Sequence, residues 1–222
     1  MPSTTRQQLL AFYDCLLAHF GRQNWWPGET PFEVMVGAIL TQNTNWQNVA
    51  KAIANLKQAD LLDPHRLAML DHERLAALIK PAGYFNIKAK RLGNFLTWFI
   101  DRFDGDVESA RQLDTESLRA ELLEIKGIGR ETADSILLYG LGKLIFVVDS
   151  YTCRILWRHH LLDEDMDYDY VQELFTDALP ADLLMYNEYH ALLVALGKTY
   201  CRPRPDCSVC PLRKFPHRVE DS

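Results

Sequence analysis

The run LLEIKGIGRETADSILLYGLGKLIFVVDSYTCRILWR, residues 122–158, leaves few folds open. A helical stretch enters Lys126-Gly127-Ile128-Gly129 and a second one leaves it. Two glycines one residue apart supply a tight turn with positive φ and let another group approach the backbone closely. An apolar run follows, Ile145, Phe146, Val147 and Val148, and it ends on a single acid, Asp149. A carboxylate emerging from such a run is costly to bury without a partner or a task. Residues 146–148 are too few to be a strand without a partner, so they read as the buried approach to the next helix.

Helical signals recur from end to end and no strand pattern is strong. Helices are expected over 4–20, from Pro31 to about 42, from a Thr44 cap to 56, and over 71–80, 86–103, 115–125, 130–140, 150–160, 168–178 and 183–200. Thr30-Pro31-Phe32-Glu33 has the form of a capping box with proline at the first helical position. The fold class expected is all-α and two-lobed. Residues 30–141 would form a central bundle ending in the helix-hairpin-helix. Residues 1–29 and 142–222 would form a second lobe, with a ligand site in the cleft between the two.

With 222 residues the chain can bury a sizeable core. No apolar run reaches the roughly 20 residues that span a bilayer. The N-terminus lacks a signal-peptide layout, so a cytoplasmic location is the expectation. The net charge of −6 argues weakly against nucleic acid, because binding depends on a local footprint. Five acids crowd together at Asp163, Glu164, Asp165, Asp167 and Asp169, while basic residues gather elsewhere. Those clusters are Lys88, Lys90 and Arg91; Lys126 and Arg130; Arg154 and Arg158; and Arg202, Arg204, Arg213, Lys214 and Arg218. A basic face is therefore open to this acidic chain. Cys15 and Cys153 read as buried structural thiols, whereas Cys201, Cys207 and Cys210 cluster as metal ligands do in a reducing compartment.

Amides of a glycine hairpin and of the following first helical turn point outward and hold phosphate. Contacts of that kind position DNA without reading its sequence. The residues in that role are Lys126, Gly127, Ile128, Gly129, Arg130 and Thr132. Taken with Trp25-Trp26-Pro27, the stretch 37–44 (GAILTQNT), Pro81-Ala82-Gly83-Tyr84-Phe85-Asn86, residues 88–92 (KAKRL), Ala133-Asp134 and Val147-Val148-Asp149, the chain resembles the endonuclease III-type branch of the helix-hairpin-helix DNA glycosylase superfamily. Within that branch it is similar to the bacterial 3-methyladenine glycosylases. The resemblance spans nearly all of residues 25–211.

It implies base-excision chemistry on double-stranded DNA that contains a damaged base, performed by a monomer. Asp149 takes the catalytic position, where a fixed carboxylate stabilises the oxocarbenium character that builds on the sugar and orients water. Bifunctional relatives carry a lysine directly after Gly-Arg, and its amine can form a Schiff base. This chain has Glu131 there, which predicts a monofunctional hydrolase. Trp25, Trp26 and Trp46 are the aromatic walls expected for a flipped base, with Lys198 nearby. Electron-rich rings would favour the positively charged alkylated purines. Gln42 is expected to enter the gap the flipped base leaves. Glycosylases of the same fold for oxidised pyrimidines or mismatched bases stay open, as does a DNA-binding protein without catalysis, which would have no need of Asp149.

The family's C-terminal loop holds a [4Fe–4S] cluster on four cysteines. Here Cys201, Cys207 and Cys210 supply three, and the first gap is one residue short. Pro216 stands where the fourth would fall, next to His217. A cluster completed by another ligand, a zinc site and an empty loop are all compatible with that pattern.

Overall fold

The computed structural model describes residues 3–163 and 166–218, so Glu164 and Asp165 of the acidic cluster lie outside it. The fold is all-α, with no strand among the described residues. It divides into two compact units, Trp26–Lys143 and Met1–Trp25 with Leu144–Ser222.

The first unit is built around α2 (Pro31–Leu40), which is buried over almost its whole length. Thr30 caps it by accepting from the Glu33 amide at 3.2 Å. The reciprocal half of the expected box closes one residue early. The Glu33 carboxylate accepts from the Glu29 amide at 3.1 Å and pairs with Lys57 at 2.9 Å. Helix α3 (Trp46–Gln58) is capped by Asn45 rather than Thr44, because the Asn45 side chain accepts from the Asn48 amide. Helices α4 (Pro64–Ala68), α5 (His72–Leu78), α6 (Phe85–Phe103), α7 (Val107–Gln112), α8 (Thr115–Glu124) and α9 (Arg130–Ser135) complete the unit. The spacing analysis missed α4 and α7, which are too short to show a period. Each nonetheless opens on an aspartate cap, Asp63 and Asp106. On α6 the rings of Phe95, Phe99 and Phe103 follow one buried face, and Phe32 stacks on Phe99 at 6.2 Å. Helix α9 widens into a π-helical turn over Ile136–Gly140, a local form that often accompanies function.

The second unit packs α1 (Ser3–Phe20), α10 (Ser150–Arg158), α11 (Tyr168–Ala178) and α12 (Leu183–Thr199). Leu9, Phe12 and Leu16 line the buried face of α1, and the buried Tyr189 hydroxyl donates to the Leu9 carbonyl at 2.8 Å. Residues 145–148 lie outside any helix and are buried, as their sequence suggested. Helix α11 supplies the partner that a neighbouring strand would otherwise provide. The Tyr168 hydroxyl accepts from the Val148 amide at 3.2 Å, and Gln172 Nε2 donates to the Phe146 carbonyl at 2.6 Å. Tyr168 and Gln172 are four residues apart, so one helix face reaches both groups. The Phe146 ring stacks on Phe175 with centroids 3.9 Å apart. This anchoring fixes where the run ends, and it ends at Asp149.

Candidate functional site

Asp149 is the N-cap of α10. Its backbone is extended, and its Oδ1 accepts from the Thr152 amide at 2.7 Å and the Thr152 hydroxyl at 2.9 Å. The other oxygen, Oδ2, lies 3.6 Å from His190 Nε2 on α12. That gap is too long for a direct hydrogen bond, so the contact is electrostatic. Both side chains are nearly buried, with 9% of Asp149 and 7% of His190 exposed. Burial pushes the carboxyl pKa up. His190 and the two Thr152 hydrogen bonds outweigh it, and the net position is below the ordinary carboxylate value. His190 carried no local signal, because it stands 41 positions away on an otherwise apolar helix face.

The hairpin lies in the other unit. The Ile128 amide donates to the Ile125 carbonyl at 2.9 Å and closes the turn, with Ile128 itself buried. Gly127 sits at φ 103°, and a Cβ there would collide with the Arg91 side chain lying over it. Side-chain amides tie the hairpin carbonyls inward: Asn94 Nδ2 donates to Lys126 at 2.8 Å and Gln42 Nε2 to Gly127 at 3.0 Å. With those acceptors turned away, the face formed by exposed Lys126, Gly129 and Arg130 is cleared for an anion. Glu131 is exposed in the first turn of α9, where the helix dipole favours an acid.

Two expected DNA contacts, Thr132 and Gln42, have side chains engaged inside the protein. Thr132 is buried, and its hydroxyl accepts from Gln42 Nε2 at 2.9 Å. Gln42 Oε1 accepts from Arg91 Nη1 at 2.6 Å, so both ends of the Gln42 amide are engaged with the hairpin and its neighbour. Lys88, counted toward a basic face, is instead 1% exposed. Its ammonium donates to the carbonyls of Leu40 at 2.8 Å and Ala82 at 2.7 Å, joining the ends of two helical segments. Arg158 likewise leaves the basic face, at 3% exposure. Lys126, Arg130, Arg202, Arg204, Arg213 and Lys214 remain exposed.

The four pocket residues fall into two pairs. Trp26 meets Trp46 edge-on, with centroids 5.3 Å apart and ring planes at 85°. Gly37 makes room for both indoles, since a Cβ there would stand 3.2 Å from Trp26 Nε1 and 3.4 Å from Trp46 Cζ3. Tyr139 joins this cluster at 5.3 Å from Trp26. It comes from the π-helical turn, a register change that no local spacing announces. The second pair, in the other unit, is Lys198 and Trp25, with the ammonium 5.8 Å from the ring centroid. All three tryptophans are half-buried and Lys198 is exposed.

The cysteine loop supplies three thiols, Cys201, Cys207 and Cys210, one short of the family's four-cysteine set. Among the described residues no three His, Cys, Asp or Glu side chains converge as metal ligands. Cys201 Sγ instead accepts from Arg158 Nη1 at 3.2 Å. The Cys210 thiol is pushed up to about 11, by burial first. The Pro216 carbonyl, where the fourth ligand would fall, pairs with His159 Nδ1 at 3.0 Å, and His217 Nδ1 pairs with the Phe215 carbonyl at 2.8 Å. Cys15 and Cys153 are half-buried rather than fully buried, and Cys15 Sγ donates to the Pro211 carbonyl beside the loop.

Comparison with known proteins gives a consistent outcome. Residues 36–181 match the family model described as the HhH-GPD superfamily base excision DNA repair protein. A protein of Methanocaldococcus jannaschii described as a candidate DNA repair glycosylase is 48% identical over 210 residues, covering 94% of this chain and 96% of its own. The crystal structure of the H. pylori 3-methyladenine DNA glycosylase bound to 1,N6-ethenoadenine superposes with a TM-score of 0.74 at 30% identity, over 87% of this chain and 97% of that one. A trapped endonuclease III–DNA covalent intermediate superposes with a TM-score of 0.81 at 23% identity, over 95% and 94%, and bears on the fold alone.

Proposed function

The chain belongs to the HhH-GPD superfamily of base excision DNA repair proteins, a DNA glycosylase family, and from that premise we propose that it is a monofunctional glycosylase that removes alkylated purines. The observation that carries the reading is Asp149, a nearly buried carboxylate kept ionised with one oxygen capped and the other directed away from the cap. A module that only bound DNA would have no use for such a group.

In the proposed reaction the hairpin face of Lys126, Gly129 and Arg130 holds a phosphate, and Asp149 faces the sugar of the damaged nucleotide. The C1′–N bond breaks with its electron pair going to the base. A cationic alkylated purine thereby leaves neutral and needs no strong acid. Asp149 offsets the positive charge that builds on the sugar. Water, oriented by the Asp149 carboxylate, then bonds to C1′ and passes its proton to that carboxylate, which returns it to solvent.

Glu131 supports the monofunctional reading, because a carboxylate cannot form the Schiff base that precedes strand cleavage. The Trp26–Trp46 pair supplies electron-rich rings suited to a cationic base, an interaction worth about 0.5–2 kcal/mol. The similarity to the H. pylori enzyme points the same way. The test is base release from duplexes carrying 3-methyladenine, thymine glycol or a T·G mismatch, together with borohydride trapping. Release from the alkylated duplex without a trapped adduct is expected. A trapped covalent complex, or release from the other duplexes only, would overturn the reading.

A further inference from the structure

We propose that His190 is a positioning residue for Asp149, holding the negative charge on the one carboxylate oxygen left free by the helix cap. The inference rests on the glycosylase reading above and deepens it.

Oδ1 receives two donors from Thr152, at 2.7 and 2.9 Å, and these pin the carboxylate plane to the start of α10. Oδ2 is then the oxygen with reach beyond the cap, and His190 Nε2 stands 3.6 Å from it. The imidazole comes from α12, so its position does not depend on the α10 cap. The backbone before Asp149 is held from a third helix, through Tyr168 and the Val148 amide. Three helices thus set one side chain.

The charge argument is separate. A carboxylate 9% exposed loses most of its hydration, which by itself favours the protonated, inactive form. The groups facing Asp149 are the Thr152 amide and hydroxyl from α10 and His190 from α12. Of these, His190 alone is ionisable. Without it, the carboxylate keeps two neutral hydrogen bonds to set against burial. Protonation of Asp149 would then begin at a higher pH.

Two measurements test this. The first needs no substrate: carbon-13 NMR of the Asp149 carboxyl is followed against pH in the wild type and in His190→Gln. The titration should move to higher pH in the variant, and an unmoved titration overturns the proposal. Circular dichroism confirms folding, and His190→Asn serves if the glutamine variant does not fold. The second measurement is single-turnover base release against pH. The acid limb is expected to move up, and the rate on that limb to fall about tenfold for each unit of the movement, while the plateau above it is kept. DNA affinity should stay within about twofold of wild type, since a positioning role acts on the reaction rather than on uniform binding. Slower release with an unmoved limb, or a loss confined to affinity, would mean a packing role and would overturn the proposal. The reading on which this rests fails differently: Asp149→Asn would keep its base release even where the NMR titration responds to His190.

Discussion

Arg119 of α8 and Asp134 of α9 form a bidentate ion pair beneath the hairpin, Nε to Oδ1 at 2.7 Å and Nη2 to Oδ2 at 3.2 Å. Asp134 is wholly buried and Arg119 is 20% exposed. The two helices that flank the turn are therefore locked by charge as well as by packing. Removing one member of a buried pair strands the other, at a cost of about 3–5 kcal/mol. Asp134→Asn should lower stability by an amount in that range and weaken binding to any duplex, because the hairpin loses its frame. Urea denaturation checks the first effect and fluorescence anisotropy the second. A variant as stable as the wild type would show that the pair is dispensable.

Gln42→Ala removes three hydrogen bonds that join Arg91, Gly127 and Thr132. Net contributions of about 0.5–1.5 kcal/mol per bond predict a modest loss of stability. The sharper expectation concerns DNA. If Gln42 shapes the hairpin, affinity falls alike for damaged and undamaged duplexes. If it acts only in the gap left by a flipped base, affinity for the undamaged duplex is unchanged. Parallel binding titrations on the two duplexes separate these outcomes, and we expect the first.

Much of this could be read from the chain because the decisive signals are local. The hairpin glycines, the apolar run before Asp149 and the helical periods each lie within a few residues of one another. What escaped the sequence was set by distance. His190 reaches Asp149 from another helix, Arg91 covers Gly127, and Tyr139 joins Trp26 through a π-helical turn. Lys88 misled for the same reason. A lysine beside Lys90 and Arg91 looks like surface charge, yet one step around α6 turns it into the core. The Thr132 side chain points inward because the third position of α9 faces Gln42.

Lys88 gives a prediction with a definite sign in pH. Burial first, and Arg91 second, lower its pKa from 10.5 to about 8. Between those values the unfolded chain binds a proton that the folded chain does not, so this group adds stability as pH rises through the window. Lys88→Met loses that rise. It also leaves the Leu40 and Ala82 carbonyls without their donor, at about 1–3 kcal/mol for each group orphaned. The stability difference between wild type and variant should therefore be present at neutral pH and widen from about pH 8 to 10.5. Denaturant midpoints at several pH values check this, and a difference that narrows with pH would contradict it.

Arg158 occupies the interior of the cysteine loop and organises it. Its guanidinium donates to Cys201 Sγ at 3.2 Å, the Arg202 carbonyl at 2.7 Å and the Pro203 carbonyl at 3.1 Å, while its own carbonyl accepts from the Arg218 amide at 2.7 Å. These contacts cross-link the loop at both ends without requiring three thiolates to converge. Hydrogen bonds from a charged donor contribute about 1.5–3 kcal/mol each, so a buried arginine making three is sufficient to order a short loop. The protein should therefore keep its thermal midpoint after treatment with a strong chelator. Arg158→Met should lower that midpoint and raise the rate at which a thiol reagent labels Cys201, which is buried in the wild type. A midpoint that collapses on chelation, with iron or zinc released in proportion to protein, would show instead that a metal holds the loop and that Arg158 only accompanies it.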